Sequence, residues 1–409
     1  MKTKYQQWVI DTFMDLARIY GPSGQEGAVA QKVLALIGKM GYENLVQIDN
    51  AGPRFTELGL APGETGNHYF YIPASPGVTG PCIGLNAHLD TVEPAAGNEP
   101  KIVEVDGRSR IITNGRSILG ADCRAGINII LYVLKVLKEE NKPHLPIQVI
   151  LTVGEDSHLI GSRLMDPDKI KADMIFSFDG DEPGELVLGT CSCDMFKIMI
   201  TGKNAHAGVN PHKGINAGLI ASHALSKLDN IGLFGRLVNA RGLPSEKHIG
   251  SININYAESQ AAGPGAVGTN SVLGWVKLIG EAREIDQERL AYLTAAIKQE
   301  FENALKLVPD HEGNLGSVEF KVDRVYNSFA IDPGSLIAMR ALAAMRANNV
   351  EPHPYPQIMG GLDACWFNDY GIPTVGLGMG AREYHTVNEY LDLEEHFQCC
   401  DIGLTLVQP

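Results

Sequence analysis

The chain has 409 residues, with 34 lysines and arginines against 48 aspartates and glutamates, a formal net charge of −14, and 44% hydrophobic residues. This length predicts two domains, since a domain usually holds about 100 to 200 residues, and the hydrophobic fraction excludes a disordered chain. The acidic balance argues against a nucleic-acid or membrane-surface partner, because such partners usually meet a basic face.

The N-terminal segment carries no recognisable targeting signal. Asp11, Asp15 and Arg18 interrupt any apolar stretch of the kind that a signal peptide needs. No later segment approaches the ~20 consecutive apolar residues of a membrane span. The seven cysteines include no CxxC pair, a usage typical of reduced thiols rather than of a disulfide framework. We therefore expect a cytoplasmic protein without a membrane segment.

Two amphipathic helices are predicted at the start of the chain. Their apolar residues recur at helical spacing at Val9, Phe13, Leu16 and Tyr20, and again at Val29, Val33, Leu36 and Ile37. Residues 23–26, Ser-Gly-Gln-Glu, match a capping box and predict the start of the second helix.

Short apolar segments then alternate with a helical one. Residues 81–88 and 146–153 have the composition of buried strands, and residues 101–113 have that of a hairpin. Residues 125–140 have helical periodicity. Helices that alternate with short apolar strands indicate an α/β fold, with a central sheet covered by helices on both faces.

The pattern changes in the middle of the chain. The predicted elements there are a strand at 195–202, a helix at 215–228, strands at 248–256 and 271–282, a helix at 285–307 and a strand at 317–326. This β-α-β-β-α-β order is the split βαβ pattern of a small α+β domain. The α/β pattern then resumes, with a helix at 333–347 and a strand at 372–378. We therefore predict that residues 194–325 form a domain inserted into a larger one, made of residues 1–193 and 326–409.

Polar residues follow several predicted strands at their carboxyl ends, where open α/β sheets bind ligands. These residues are His88 and Asp90, Glu155 and Asp156, Asp179, and His385, and Asp122 precedes the helix at 125–140. Taken alone, any of them is more often a capping or solvated loop residue. Because six strand-end positions coincide, we expect the side chains to converge on one edge of the sheet.

A cluster of this composition predicts a pair of divalent cations. Carboxylates packed together raise one another's pKa unless cations lie between them. Imidazole and carboxylate donors suit Zn²⁺, Co²⁺ or Mn²⁺, and two metals about 3.5 to 4 Å apart form a known hydrolytic arrangement.

Two short motifs indicate how the roles divide. His88 and Asp90 lie two residues apart, so both face one side of an extended segment; His88 would bind metal while Asp90 accepts a hydrogen bond from its other ring nitrogen. Glu155 and Asp156 point in different directions, so one can bind metal while the other stays free as a base. An acidic dipeptide at a strand end is otherwise usually a helix N-cap, and Asp156 fits that alternative too.

At these residues the sequence resembles the two-zinc metallopeptidase family that includes peptidase T, bacterial glutamate carboxypeptidase, succinyl-diaminopimelate desuccinylase and the aminoacylases, and it looks most like the peptidase T-like branch. The segments that carry the resemblance are NAHLDTV, SILGADCRAGI, LTVGEDSHLIGS, FSFDG, ITGKNAHAGVNPHKGINA, GGLDACWFNDYGIPTVGLG and AREYHTVNEY. They occur in family order and span most of the chain. The resemblance implies a zinc-peptidase-like catalytic domain and an inserted domain that serves dimerisation and closes over the substrate.

The resemblance also implies which residues bind the metals. It assigns one ion to His88 and Asp179, the other ion to Asp156 and His385, and a bridging position to Asp122. Each subunit would hold two divalent ions, with zinc as the expected metal and cobalt or manganese as alternatives.

Further roles follow from the same resemblance. Glu155 would be the general base and acid, and Asp90 would support the histidine of the first ion. In relatives, the histidine that matches His206 reaches the active site of the partner subunit and polarises the scissile carbonyl. Residues that match Asn270 and Arg283 often contact the substrate.

This chain departs from the family pattern at three positions. After Asp122 the family usually has a second acidic residue, whereas here Cys123 offers a soft ligand or an oxidisable thiol. Arg124 stands where lysine is common. Asp156 replaces the usual glutamate and is shorter by one C–C bond, about 1.5 Å, which predicts a weaker second site or a compensating backbone shift.

The predicted function is hydrolysis of a peptide or amide bond in a small substrate such as a dipeptide or tripeptide, by metal-activated water with Glu155 as the base. The same site also fits an N-acyl amino acid deacylase, because specificity depends on pocket shape in the inserted domain. A third interpretation, motivated by Cys123 and Asp156, is a catalytically impaired homologue that binds peptides or metals. The expected partners are the small substrate and a second copy of the chain.

Overall fold

A computed structural model describes residues 1–230, 234, 251–260 and 268–409. Within them the chain forms two compact units, one made of Met1–Thr190 and Phe329–Pro409 and the other of Cys191–Ser328. The first three residues of the strand predicted at 248–256 lie outside the described residues.

The helices of the described chain are α1 (Thr3–Ala17), α2 (Gly27–Lys39), α3 (Ala51–Arg54), α4 (Ala121–Glu140), α5 (Ile160–Leu164), α6 (Ala217–Asn230), α7 (Gln287–Leu305), α8 (Leu336–Ala347), α9 (Ala364–Asp369) and α10 (Leu393–Leu406). The strands are β1 (Gln47–Ile48), β2 (His68–Ile72), β3 (Ile83–His88), β4 (Lys101–Val105), β5 (Arg108–Ile112), β6 (Ile147–Thr152), β7 (Met174–Gly180), β8 (Glu185–Val187), β9 (Ser192–Thr201), β10 (Ser251–Ser259), β11 (Trp275–Glu284), β12 (Ser317–Tyr326), β13 (His353–Tyr355), β14 (Thr374–Gly378), β15 (Ala381–Arg382) and β16 (Tyr390–Asp392).

The first unit is built on an eight-stranded mixed sheet in the order β1-β2-β6-β3-β7-β14-β8-β13. Its four central strands, β6, β3, β7 and β14, are parallel to one another, whereas β2 and β8 on either side of them are antiparallel to β6 and β14. Every residue of β3 and of β6 is buried, so both faces of the sheet are covered there. The central helix α4 is buried at every residue from Ala121 to Leu134, as expected of a helix that packs on all sides. The predicted α/β fold class is confirmed.

The second unit is an antiparallel four-stranded sheet in the order β10-β11-β9-β12, with α6 and α7 packed against it. Along β9 the residues Phe196, Ile198 and Ile200 are fully buried, whereas Lys197 and Thr201 between and after them are exposed. This alternation is that of a sheet with one face on a hydrophobic core. The predicted β-α-β-β-α-β order is confirmed as β9, α6, β10, β11, α7 and β12.

A third small sheet extends the predicted hairpin. The strands β4 and β5 form the hairpin, and the C-terminal strands β16 and β15 complete a four-stranded sheet in the order β15-β16-β5-β4. The sequence did not predict this partner, because β15 and β16 are only two and three residues long. The loop between β15 and β16 carries His385.

The predicted capping box at residues 23–26 is wrong. Glu26 has helical backbone angles, and its side chain does not cap α2. Its Oε1 atom instead accepts hydrogen bonds from the amides of Gly24 and Gly154, while Ser23 donates its hydroxyl to Asp90. Both side chains therefore form hydrogen bonds other than those of a capping box.

All seven cysteines are buried and none forms a disulfide, in line with the predicted reduced thiols. Among the helices of the described ranges, none has the length and apolar character that crossing a bilayer requires.

Candidate metal centre

The predicted site residues of the first unit lie at the carboxyl edge of its central sheet. His88 is the last residue of β3, and Asp179 lies near the end of the neighbouring parallel strand β7. Glu155 follows β6 by three residues. Because parallel neighbours end at the same edge, these side chains meet, as predicted.

Asp122 stands between two histidines. Its Oδ1 atom lies 2.9 Å from Nε2 of His88, and its Oδ2 atom lies 3.1 Å from Nε2 of His385. The same Nε2 of His385 lies 3.0 Å from Oδ1 of Asp156. Nε2 of His88 lies 3.6 Å from Oδ1 of Asp179. The two oxygens of one carboxylate thus face two different imidazoles, which is the geometry of a bridging ligand.

Three groups of possible metal donors arise in the described chain. In each group, one donor atom per residue lies within 4.8 Å of all the others. The groups are His88, Asp122, Cys123 and Asp179; His88, Asp90 and Asp156; and Asp122, Asp156 and His385. The five predicted metal ligands therefore fall into overlapping groups, in which His88, Asp122 and Asp156 each belong to two.

Asp90 holds two parts of the site together. Its Oδ1 atom accepts a hydrogen bond from the amide of Glu155 (3.0 Å), and its Oδ2 atom accepts one from the amide of Asp156 (3.1 Å). Nδ1 of His88 lies 3.4 Å from Oδ1 of Asp90 and 3.2 Å from its main-chain oxygen. Asp90 therefore lies against the imidazole, whose hydrogen bond goes to the main-chain oxygen, and its carboxylate fixes the acidic dipeptide, which the sequence did not predict.

Glu389 positions Asp122, and the sequence assigned it no role. Its Oε2 atom accepts from the amides of Leu119 and Gly120, both at 2.8 Å, and its Oε1 atom accepts from the amide of Asp122 at 3.0 Å. Glu389 is only 1% exposed. A carboxylate four residues beyond His385 was the only signal available in the sequence.

Asp363 is a second acidic residue that the sequence left unassigned. It is 1% exposed, and its Oδ2 atom accepts from the hydroxyl of Thr152 and from Nδ2 of Asn86 at 3.4 Å. It therefore ties the ends of β3 and β6 together. Its segment, GGLDACWF, contributed to the family resemblance, but no role was predicted for this residue.

The departure from lysine to Arg124 has a structural reason. The guanidinium of Arg124 is buried and donates to the main-chain oxygens of Leu16 (2.8 Å), Ile19 (3.0 Å) and Gly21 (3.4 Å). A planar fork with several donors can serve three carbonyls at once, which an ammonium group does less well. Arg124 therefore anchors the segment that leads to Ser23, which in turn donates to Asp90 at 2.6 Å.

Burial and mutual repulsion perturb the carboxylates. Burial, followed by the charge of Asp122, raises the pKa of Asp179 to about 8. Burial raises the pKa of Asp156 to about 6, and burial together with the charge of Asp179 raises the pKa of Glu155 well above its usual range. For Asp122, burial is outweighed by hydrogen bonds from His385 and His88, which hold its pKa below its usual range.

The pKa values of both histidines are raised as well. Hydrogen bonds to Asp122 and Asp156 raise the pKa of His385 to about 10. Burial alone would lower the pKa of His88, but electrostatic interaction with Cys123 and the hydrogen bond with Asp122 raise it well above its usual range. Both shifts mean that the acidic cluster favours a positive charge in its midst.

The residues present fit a pair of divalent cations. Oδ2 of Asp156 is buried and has no hydrogen-bond partner among the described residues, so an acceptor is left unsatisfied inside the cluster. Donor atoms on one tetrahedral ion lie about 3.4 Å apart. The distances of 2.9 and 3.6 Å around Nε2 of His88, and of 3.0 and 3.1 Å around Nε2 of His385, are close to this spacing. The shorter Asp156 therefore reaches its group.

The remaining predicted residues belong to the second unit. His206 is exposed, and its Nδ1 accepts from the amides of Gly208 and Val209, both at 3.2 Å, which leaves the proton on Nε2. The exposed Asn270 lies beside His206: the main-chain oxygen of Asn270 accepts a hydrogen bond from the amide of Ala207 at 2.8 Å.

Arg283 is not part of this loop pair. It lies near the end of β11, about 26 Å along the strand from Trp275 at its start, beyond which Asn270 lies. Its guanidinium pairs with Glu281, with Nε at 2.9 Å from Oε1. Within the second unit the structure thus brings together His206 and Asn270 but not Arg283.

The sequence and the fold match known proteins over most of their length. Residues 84–408 match the sequence model of peptidase family M20/M25/M40. The protein YqjE of Bacillus subtilis is 32% identical over 327 residues, which cover 80% of each chain. Aminopeptidase PepT from Bacillus cereus is 29% identical, with a TM-score of 0.74 and 98% of each chain covered. A tripeptidase from Staphylococcus aureus is 28% identical, with a TM-score of 0.78 and the same coverage.

Proposed function

The chain belongs to peptidase family M20/M25/M40 and is a peptide hydrolase, and from that premise we propose that it cleaves small peptides at a two-metal site with Glu155 as the proton carrier. The observation that carries the proposal is the placement of Asp122, whose two oxygens face His88 and His385. A single carboxylate shared in this way supports two neighbouring ions rather than one.

The ligand set divides between the two ions. His88 and Asp179 would hold one, Asp156 and His385 would hold the other, and both would share Asp122. Zinc is the proposed metal, because nitrogen and oxygen donors at these spacings suit it, and cobalt or manganese can replace it. When bound, such ions polarise a carbonyl and make water acidic near neutral pH.

Glu155 moves the proton. It is 7% exposed, and its Oε2 lies 3.9 Å from Nε2 of His88, so it borders the ligands without a short contact to them. In the proposed reaction Glu155 takes a proton from the attacking water and delivers it to the amine that leaves. The carboxylate of Asp90 accepts a hydrogen bond from the amide of Glu155. This bond fixes the backbone that carries the Glu155 side chain.

His206 and Asn270 contribute from the second unit. With its proton on the exposed Nε2, His206 can donate a hydrogen bond to the oxygen of the scissile carbonyl as negative charge develops there. We place this histidine in the active site of the partner of a homodimer, and Asn270 beside it in contact with substrate. Arg283 is paired with Glu281, so a contact of its guanidinium with substrate would compete with this ion pair.

The proposed substrates are short peptides with a free N-terminus. An aminopeptidase and a tripeptidase with this fold, both above 25% identity, support this class. A comparison of tripeptides, dipeptides, N-acetylated tripeptides and N-acyl amino acids tests it. Turnover confined to free peptides supports the proposal, turnover confined to N-acyl amino acids indicates a deacylase, and a metal-loaded protein inactive on the whole panel indicates a binding role.

The role of Glu155 is tested by Glu155→Gln, with the exposed Glu394→Gln as a matched control. The first variant should keep both metals and lose at least 10²-fold in kcat, since general acid–base catalysis contributes that much or more. Near-normal turnover with both metals bound would show that another group moves the proton.

The proposed dimer is tested by complementation. Glu155→Gln and His206→Ala should each be nearly inactive alone, the second with unchanged metal content. After mixing and subunit exchange, hybrid dimers contain one site with both residues intact, and activity should return. If native mass spectrometry of differently tagged subunits shows exchange and activity stays absent, His206 does not act across the interface.

A further inference from the structure

Cys123 differs from the other cysteines in its surroundings. All seven cysteines are buried, but in the residues that the structure describes only Cys123 belongs to a group of three or more possible metal donors. Burial among apolar side chains explains the others. The surroundings of Cys123 are polar and acidic.

The sulfur lies among ligands of the first ion. Sγ of Cys123 and one donor atom each of His88, Asp122 and Asp179 all lie within 4.8 Å of one another. An oxygen or nitrogen donor and a sulfur donor on one tetrahedral zinc ion lie about 3.5 Å apart. The distance from the sulfur to each of these donor atoms therefore exceeds the spacing on one ion by at most about 1.3 Å.

The backbone at this point allows two consecutive residues to reach one group. Asp122 (φ −79°, ψ 107°) and Cys123 (φ −116°, ψ 30°) depart from helical angles at the start of α4. In a regular helix, neighbouring side chains diverge by about 100°. The thiol donates to the main-chain oxygen of Phe178 at 2.8 Å, the residue before Asp179, so the sulfur is held against the strand end that carries a ligand.

A second observation points to a ligand at the same place. Oδ2 of Asp156 is buried with no hydrogen-bond partner in the described ranges, and Asp156 shares a donor group with His88. An acceptor left unsatisfied next to this histidine is accounted for by a cation in the cluster. Cys123 and Asp156 therefore each belong to a donor group that includes His88.

We propose that Sγ of Cys123 is a further donor to the ion held by His88, Asp122 and Asp179. The inference rests on the two-metal site of the proposed function. When the ion binds, the S–H bond breaks, a metal–sulfur bond forms, and the proton passes to solvent. A thiolate at position 123 carries the same single negative charge as the acidic residue that the family usually has there. The net charge of the site is therefore unchanged, while one of its donor atoms becomes softer.

The soft donor changes metal preference. Thiolate ligands favour zinc and cobalt over manganese, which prefers carboxylate and water. Cys123→Asp should therefore lower the ratio of zinc to manganese affinity at the first site, on the order of 10-fold, without lowering the number of ions bound. Competition of the two metals for the purified protein, read by elemental analysis, measures this ratio.

The direct test uses cobalt as a spectroscopic probe. The full-length protein is stripped of metal and reconstituted with Co²⁺, and bound cobalt is counted while the near-ultraviolet spectrum is recorded. A cysteine ligand gives a sulfur-to-cobalt charge-transfer band, which oxygen and nitrogen donors do not give. Cys123→Ser and Cys123→Asp remove the sulfur, and circular dichroism verifies that they fold. Cys82→Ser is the matched control, because Cys82 precedes the opposite end of the strand that carries His88.

The proposal expects the band in the unmodified protein and in Cys82→Ser, and its loss in both Cys123 variants while cobalt stays bound. Two cobalt ions without the band would overturn the sulfur ligand and leave the two-metal site intact. A band that survives in folded Cys123→Ser would assign the sulfur elsewhere. Failure to bind cobalt at all would overturn the proposed function, and this inference with it.

Discussion

Replacing Glu389 by glutamine should weaken metal binding without unfolding the chain. The carboxylate of Glu389 accepts hydrogen bonds from the amides of Leu119, Gly120 and Asp122. A glutamine keeps one oxygen, which can still serve the first two amides. Its NH₂ group then faces the amide of Asp122, so that two donors oppose each other at the residue shared by both ions.

The size of the effect follows from this one lost acceptor. A buried amide without a partner costs about 1 to 3 kcal/mol. The metal-free chain can relax the loop, whereas the ions need Asp122 in place, so most of this cost falls on metal binding. Since about 1.4 kcal/mol is tenfold in a binding constant, affinity should fall about 10- to 100-fold. Loss of a partner that orients a metal ligand typically has this size.

The assay is a competition titration of zinc between the protein and a chromophoric chelator. Glu394→Gln is the matched control, because Glu394 is exposed and close in sequence. A urea titration verifies that Glu389→Gln is folded. If the folded variant binds both ions as tightly as the unmodified protein, Glu389 does not position Asp122 and the reasoning fails.

Two further predictions concern pH. His396 is fully buried, and burial lowers its pKa to about 4 from the usual ~6.5, so between these values only the unfolded chain takes up the proton. The contribution of His396 to the free energy of unfolding should be constant above about pH 6.5. Below it, this contribution should fall by at most about 1.4 kcal/mol per pH unit, about 3 kcal/mol in all. Urea titrations should show a flatter pH profile for His396→Gln than for the unmodified protein, and equal slopes would contradict this reasoning. Burial and Asp122 raise the pKa of Asp179 to about 8, and its proton must leave before an ion binds. The apparent affinity for Co²⁺ should therefore rise with pH through about 8 and keep rising toward about 10, because His385, whose pKa is raised to about 10, must also lose its proton before it binds an ion. A flat profile would show that ion binding displaces no proton from these side chains and would contradict their role as ligands.

The fold was largely predictable, because its strands and helices have strong periodicity. The strand β12 begins and ends where the sequence predicted it, at Ser317 and Tyr326. The parallel strands β3 and β6 were recognisable as continuous apolar segments. The two-residue strand β15 and the three-residue strand β16 were not, since segments so short carry no periodicity.

Residues that follow strands were predictable, and residues that support them were not. His88 and Asp179 end strands, so the parallel order of the sheet brings them together. Glu389 and Asp122, which form a hydrogen bond, are 267 residues apart in sequence, so no local sequence pattern predicts this contact. For Asp90, one contact was predictable and two were not. Its spacing from His88 predicted the contact with that histidine, whereas its hydrogen bonds to the amides of residues 155 and 156 join segments that are far apart in sequence.

The failed capping box at Glu26 shows how tertiary structure overrides a local motif. The carboxyl group of Glu26 is buried, and this burial, followed by the charge of Asp90, raises its pKa to about 7. The amide of Gly154 gains an acceptor there, directly before Glu155. A sequence pattern cannot weigh that contact against a helix cap.

The number of divalent ions bound per chain tests the central claim most directly. Protein stripped of metal, equilibrated with excess zinc and freed of unbound ions should contain two zinc ions per chain by elemental analysis, because Asp122 is shared between two sets of ligands. A saturating value of one ion, or none, in folded protein would contradict the account.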